Sequence, residues 1–116
     1  MNPELQTVLL NASDALPHDG ELVFKPMFGG ACAYFNGRVF ASLSHAGLAL
    51  KLSPKQQEQL LEIGGRMLQY EADAPISKSY VVLPEKIWRD GEQFSIWARK
   101  SVDYVLTLPL PKRRKR

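Results

Sequence analysis

Apolar residues recur along this chain with two different periods, and each period predicts one kind of element. Helical spacing predicts a first helix, whose apolar stripe consists of Leu5, Val8, Leu9, Ala12 and Leu16. Pro17 ends that helix. Further along, the spacing shortens to two, since Leu48, Leu50 and Leu52 alternate with other residues. Such alternation is typical of an antiparallel strand that has one face covered by the rest of the protein.

Five strands are predicted in the middle of the chain. They cover residues 31–35, 38–44, 48–52, 66–70 and 79–83. Asn36-Gly37 separates the first two strands and favours a type I′ turn, because both central positions of that turn need positive φ angles. The short connections among the first three strands require an antiparallel meander. Residues 22–27 are predicted as a short strand or an extended segment, and Pro26 argues against a central position in the sheet.

Capping signals predict two further helices. Ser53 and Gln56 form a capping-box sequence before a helix that ends at a pair of glycines. Asp90 and Gln93 resemble a second capping box, before a helix that runs to about Leu106. The resulting order, α-β-β-β-α-β-β-α, predicts an α+β fold. It is a two-layer domain in which helices cover one face of a five-stranded antiparallel sheet.

The positive charge of the chain is concentrated in its last residues. The basic run consists of Lys112, Arg113, Arg114, Lys115 and Arg116. Without this run, ten basic residues face twelve acidic ones, so the predicted domain (residues 1–108) is mildly acidic and the tail (residues 109–116) is strongly basic. Such a tail predicts either a solvated terminus or a salt-sensitive attraction to nucleic acid.

The types and spacing of the residues do not predict an active site. Cys32 is the one cysteine, so no disulfide can form within the chain. His18 and His45 fall in predicted loops, at no telling distance from a carboxylate. Apolar runs stay well below the roughly 18 residues of a membrane span, and the N-terminus does not resemble a signal peptide. We therefore expect a cytoplasmic protein with no catalytic residues, cofactor, metal or membrane contact.

Four motifs occur in a fixed order along the chain. They are Met27-Phe28-Gly29-Gly30, the turn that ends at Gly37, the strand around Lys51, and Trp97-x-x-Lys100-Ser101-x-x-Tyr104. Over about residues 24–106, the sequence resembles the N-terminal domain of the TfoX/Sxy family. The resemblance implies a bacterial α+β domain of the secretion-chaperone-like type. It also implies a regulatory rather than an enzymatic role, because named members control natural competence together with the cyclic-AMP receptor protein.

Named full-length regulators of that family carry a second, helical domain after this one, whereas here a basic tail follows the first domain. We therefore expect a stand-alone version of the first domain. Two functional hypotheses follow. The first is a regulatory module that binds another protein, such as a component of the transcription machinery, or a second copy of itself. Its candidate contact residues are Tyr34, Phe40, Lys51 and Trp88, and Tyr34 and Phe40 are predicted on the sheet face that the helices leave open. The second is a nucleic-acid-associated protein that binds through its tail.

Two further features have a structural interpretation beside a functional one. Gly29-Gly30 is interpreted as a bend or bulge that lets the backbone pass close to a neighbour, with phosphate binding as the alternative. Phe94 and Trp97 share a helical stripe with Ser101 and are predicted to belong to the core. The Ser101 hydroxyl is predicted to bond the carbonyl of Trp97, one turn earlier.

Overall fold

The computed structural model describes residues 3–17, 20–27 and 30–109. Two members of the first motif, Phe28 and Gly29, lie outside the described residues, as does the basic run from Lys112 to Arg116. The helices are α1 (Pro3–Asn11), α2 (Pro54–Glu62), α3 (Glu85–Trp88) and α4 (Gly91–Leu106), with a 3₁₀ turn (Ser13–Ala15) after α1. The strands are β1 (Leu22–Met27), β2 (Gly30–Phe35), β3 (Arg38–Ser44), β4 (Gly47–Lys51), β5 (Arg66–Met67) and β6 (Tyr80–Val82).

The α+β class is confirmed, but the sheet has six strands rather than five. They lie in the order β1-β2-β3-β4-β6-β5, and every neighbouring pair is antiparallel. The sixth strand is β1, which pairs with β2 from Leu22 to Met27. Pro26 is tolerated because β1 is an edge strand, where a missing N–H group can face away from the ladder.

The capping signals at the start of α2 are confirmed. The Ser53 side chain accepts a hydrogen bond from the Gln56 amide, and the Gln56 side chain accepts one from the Ser53 amide. The first helix is shorter than predicted and continues as a separate 3₁₀ turn, in which Ser13 and Asp14 carry side chains that compete for helical backbone groups.

A two-residue turn joins β2 to β3, as the sequence predicts. Asn36 and Gly37 both have positive φ angles, of 50° and 79°, which is the type I′ geometry. Gly30 begins β2 so close to the Leu43 carbonyl oxygen that a Cβ atom there would collide with it. This contact supports the interpretation of Gly30 as a position of close backbone approach.

A β-bulge interrupts the pairing of β2 with β3. Ala33 lies opposite Ala41 and Tyr34 lies opposite Val39, so Phe40 is an extra residue in β3. Because side chains alternate from face to face, one extra residue reverses the alternation beyond it. Phe40 is therefore fully buried in the core, and its predicted position on the open face is wrong.

The main core lies between the sheet and the helices. Each helix contributes at least one buried side chain to it: Leu5 and Leu9 from α1, Leu60 from α2, Ile87 and Trp88 from α3, and Phe94, Trp97, Ala98, Val102 and Val105 from α4. The helices thus cover one face of the sheet, as predicted. We call the other side the open face. A small second cluster there joins Ala49 and Val82 to Leu68, at the start of the loop that connects β5 to β6.

Candidate functional site

The centre of the open face is formed by small side chains. Strand pairing places Lys25, Cys32, Ser42 and Ala49 in one row across four neighbouring strands. Alternation along β2 puts Tyr34 on the same face as Cys32, while Ala33 and Phe35 point into the core. Ser42 and Ala49 are almost fully buried, so the accessible part of this row lies at Lys25 and Cys32, beside Tyr34.

At the accessible end of the row, a lysine is stacked on a tyrosine. The Lys25 ammonium lies 4.9 Å from the centre of the Tyr34 ring, within the range of a cation–π contact. Lys25 is exposed and Tyr34 is half-buried. The contact holds both side chains on β1 and β2, and it leaves a positive charge beside an aromatic surface.

The other end of the row, at Ser42 and Ala49, is covered by the loop between β5 and β6. Tyr70 reaches back over the sheet, and its hydroxyl lies 3.0 Å from the buried Ser42 hydroxyl. His45 fixes the same loop, because its Nε2 atom lies 2.8 Å from the Tyr70 carbonyl oxygen and 3.3 Å from a Glu71 carboxylate oxygen. An Nε2–H group donates to the carbonyl, so a neutral imidazole is sufficient for this contact. The sequence predicts a strand over residues 66–70, but β5 ends at Met67, so Tyr70 lies in the loop instead.

Two acidic groups on the open face, the Cys32 thiol and the Tyr80 phenol, are favoured in their neutral forms. Burial raises the pKa of the Cys32 thiol. Burial also raises the pKa of the Tyr80 phenol far above its ordinary value, with smaller contributions from Cys32, Tyr70 and Tyr34. These groups are therefore close together, and their desolvation disfavours a thiolate or a phenolate.

Two predicted contact residues do not lie on an exposed surface. Phe40 is in the core because of the bulge, and only 9% of Trp88 is exposed. Trp88 packs in the core cluster and lines a cavity of about 190 Å³ with Val8 and Phe94. It is buried because α3 lies against α4, a packing that the short sequence of α3 did not indicate.

Lys51 is half-buried at the end of β4 rather than at the centre of the open face. It is paired with Tyr80 and lines a cavity of about 50 Å³ with Arg38 and Leu108. Lys25 and Arg99 lie on opposite sides of the sheet. Lys25 contacts Tyr34 on the open face, whereas Arg99 on α4 binds Asp103 and the carbonyl of Ala15 in the helical layer.

Ser101 joins α4 to the sheet instead of bonding within its helix. Its hydroxyl lies 2.7 Å from the Lys51 carbonyl oxygen and 3.0 Å from that of Phe40, so the predicted bond to Trp97 is wrong. The ladder between β3 and β4 ends at Ala41 and Leu50, and its register would place Phe40 opposite Lys51 next. The hydroxyl therefore lies where the strands stop pairing.

The comparison with known protein families agrees with the resemblance that the motifs indicate. A family model described as the TfoX N-terminal domain matches residues 14–105, which is most of the 116-residue chain. The chain belongs to this family. None of the curated proteins compared with it matches.

In this TfoX N-terminal domain, the motif residues that the structure describes have structural contacts. Gly37 forms the hairpin turn, Ser101 bonds the sheet, and the Lys100 ammonium lies 5.3 Å from the Trp97 ring. Tyr104 packs against the core. The motifs therefore position α4 and the hairpin, and the open face lies on the other side of the sheet from α4.

Two further observations concern the described part of the chain. Within residues 3–17, 20–27 and 30–109, no three His, Cys, Asp or Glu residues are grouped so that they could hold a metal ion. No helix in those same ranges has both the length and the apolar character needed to cross a membrane.

Proposed function

We propose that this TfoX N-terminal domain is a non-enzymatic, cytoplasmic regulatory module that binds another protein across its open face. The single observation that carries the proposal is the accessible surface formed by Lys25, Cys32 and Tyr34 on β1 and β2, next to the Ser42–Tyr70 contact. Protein contact surfaces are enriched in tyrosine, and a partly exposed aromatic ring beside small residues can receive a partner side chain.

Charge narrows the chemistry of the partner. Lys25 is the exposed charged residue in the central row, and the two nearby hydroxyl groups, of Ser42 and Tyr70, already bond each other. An apolar partner segment that carries a carboxylate fits such a surface, because the apolar part would pack on the Tyr34 ring and Cys32 while the carboxylate pairs with Lys25. A component of the transcription machinery is the partner class that the family resemblance implies.

The Cys32 thiol and the His45 imidazole on the open face favour binding over catalysis. A thiol reacts as its thiolate, and burial raises the pKa of Cys32, so the thiol is a weak nucleophile near neutral pH. His45 is occupied by the Tyr70 carbonyl and by Glu71, and it supports the loop rather than an adjacent nucleophile. These contacts support a non-enzymatic role.

The alternative function is nucleic-acid binding through the basic run of residues 112–116. It is favoured by the charge distribution, since the other basic residues are outnumbered by acidic ones. Several of them are also held in individual contacts, such as Arg99 with Asp103 and Lys100 with Trp97. Binding that depends on the tail would weaken steeply as the salt concentration rises.

Affinity capture with matched variants separates the two functions. The tagged chain, its Tyr34→Ser variant and a variant lacking residues 112–116 are each used to capture proteins from a bacterial lysate, with and without nuclease. Ile96→Ser is the control, because Ile96 is an apolar residue that is 52% exposed on α4, on the other side of the sheet. We expect a specific protein that is retained by the control and by the tail deletion, resists nuclease, and is reduced at least about tenfold by Tyr34→Ser.

Two results would count against protein binding by the open face. One is a captured protein that Tyr34→Ser retains as well as the control does. The other is capture that disappears with nuclease or with the tail deletion, which would instead support the nucleic-acid hypothesis.

A further inference from the structure

The outer edge of β1 carries backbone groups that the sheet does not use. The Asn36 amide donates to the Glu21 carbonyl at 3.1 Å, so Glu21 and Asn36 form a hydrogen-bonded pair. Further along the same register, Val23 lies opposite Tyr34 and Lys25 lies opposite Cys32. In an antiparallel ladder, hydrogen-bonded and non-hydrogen-bonded pairs alternate. Glu21, Val23 and Lys25 therefore direct their backbone groups toward β2, and the residues between them direct theirs outward.

The outward groups belong to Leu22, Phe24 and Pro26. Within the described residues, no other strand pairs with this side of β1. Leu22 and Phe24 each offer an N–H and a C=O group, whereas Pro26 has no N–H to offer. An added strand can therefore pair fully along Leu22–Phe24, and pairing weakens at Pro26. Both of these apolar side chains are half-buried and already pack against the core.

The sequence of this edge is complementary to itself when it is reversed. Residues 21–25 read Glu-Leu-Val-Phe-Lys, so the two ends carry opposite charges and the centre is apolar. A twofold axis at Val23 would place Leu22 of one copy opposite Phe24 of the other. The same register would place Glu21 opposite Lys25, on the open face of both copies. Opposite charges directly across two strands stabilise their pairing.

We propose that two copies of this chain associate through β1, in antiparallel register about a twofold axis at Val23. Four backbone hydrogen bonds, between Leu22 and Phe24 of each copy, would join the two sheets into one. Two Glu21–Lys25 pairs would set the register. The backbone pairing uses the edge of the sheet and shares only Lys25 with the residues assigned to partner binding, so losing the open-face partner would leave this pairing intact.

Cross-linking tests the register in the full chain. Val23→Cys and Lys25→Cys are each made with Cys32→Ser, so that the introduced thiol is the only one. In the proposed register, the two Val23 Cα atoms form a non-hydrogen-bonded pair about 4.5 Å apart, which suits a disulfide. The two Lys25 positions would be separated by about four residues, or roughly 14 Å along the strands. We expect rapid disulfide dimerisation of Val23→Cys, and slow dimerisation of Lys25→Cys.

Charge reversal tests the same register without any thiol. The dimer dissociation constant is measured by sedimentation equilibrium from micromolar to millimolar chain concentration. Glu21→Lys or Lys25→Glu alone would place like charges opposite each other and weaken association roughly tenfold. The double reversal would restore the wild-type constant. Both residues are exposed, so folding is expected to be unaffected, and circular dichroism checks this.

Either of two results would overturn the proposal. One is a chain that stays monomeric at millimolar concentration, with Val23→Cys cross-linking no faster than Lys25→Cys. The other is a dimer whose dissociation constant is unchanged by both single charge reversals, because such a dimer would use another surface. A Tyr34→Ser variant that loses its partner while it still dimerises would separate this proposal from binding by the open face.

Discussion

Replacing Ser101 with alanine tests how α4 is attached to the sheet. The hydroxyl is fully buried and lies within hydrogen-bond distance of the Phe40 and Lys51 carbonyls. A hydroxyl has one proton, so it donates to one carbonyl at a time, and the 2.7 Å distance favours that of Lys51. Removing the donor leaves the partly buried Lys51 carbonyl without that bond, which costs about 2 kcal/mol. Alanine returns about 0.5 kcal/mol through its higher helix propensity.

The net expectation is a loss of about 1.5 kcal/mol in the free energy of unfolding. For a domain of this size, such a loss lowers the melting temperature by roughly 6 °C. Urea unfolding followed by tryptophan fluorescence measures the first quantity, and thermal unfolding followed by circular dichroism measures the second.

Ser95→Ala is the matched control for this experiment. Ser95 is on the same helix and is half-buried, and among the described residues its hydroxyl has no hydrogen-bond partner. The control gains the same helix propensity without losing a bond, so it should be unchanged or slightly more stable. If Ser101→Ala proves as stable as Ser95→Ala, the hydroxyl does not hold the helix to the sheet and our explanation is wrong.

Three further predictions follow from other positions. Gly30→Ala should lower the free energy of unfolding, measured in urea, by about 3 kcal/mol or more, because the new Cβ atom would collide with the Leu43 carbonyl oxygen. Gly91→Ala is its control and should be nearly neutral, because a Cβ atom there would meet no other atom within 4 Å. Phe40→Ala should lower the free energy of unfolding by about 3–5 kcal/mol and Tyr34→Ala by about 1 kcal/mol or less, because the bulge buries Phe40 in the core. Equal losses of stability in thermal unfolding would contradict the bulge. Because the pKa of the Cys32 thiol is higher in the folded chain than in the unfolded chain, it contributes stability at pH values below the ordinary pKa of a thiol. This contribution is lost as the pH rises through the pKa of the thiol in the folded chain. In urea titrations above pH 9, wild type should therefore lose stability faster than Cys32→Ser, and parallel curves would argue against a desolvated thiol.

Local patterns were sufficient for most of the elements. The alternation around Leu50 placed β4, Asn36-Gly37 placed the hairpin, and the Ser53 and Gln56 pair placed the start of α2. In each case the signal and its structural effect lie within a few residues of each other. The family motifs were equally informative, since the family match covers nearly the same residues.

The errors arose where the outcome depends on residues far apart in the sequence. Phe40 was assigned to the wrong face because a bulge is defined by the partner strand, which strict alternation ignores. The Ser101 hydroxyl bonds carbonyls 61 and 50 positions away, where helical spacing suggested a bond within the helix. The position of Tyr70 over the sheet depends on a contact with Ser42, 28 positions away. None of these contacts has a local signature.

The extra residue in β3 has a consequence for comparing members of the family. Shortening the strand by that one residue would allow Val39 to take the place opposite Lys51, and the ladder between β3 and β4 would then run on toward the hairpin. The strand carbonyls that Ser101 now contacts would accept hydrogen bonds from amides of the facing strand. A hydroxyl at position 101 would then have no free carbonyl to bond. We therefore expect strand length and the polarity of this helical position to vary together among relatives, with serine where the longer strand occurs and an aliphatic residue where it does not.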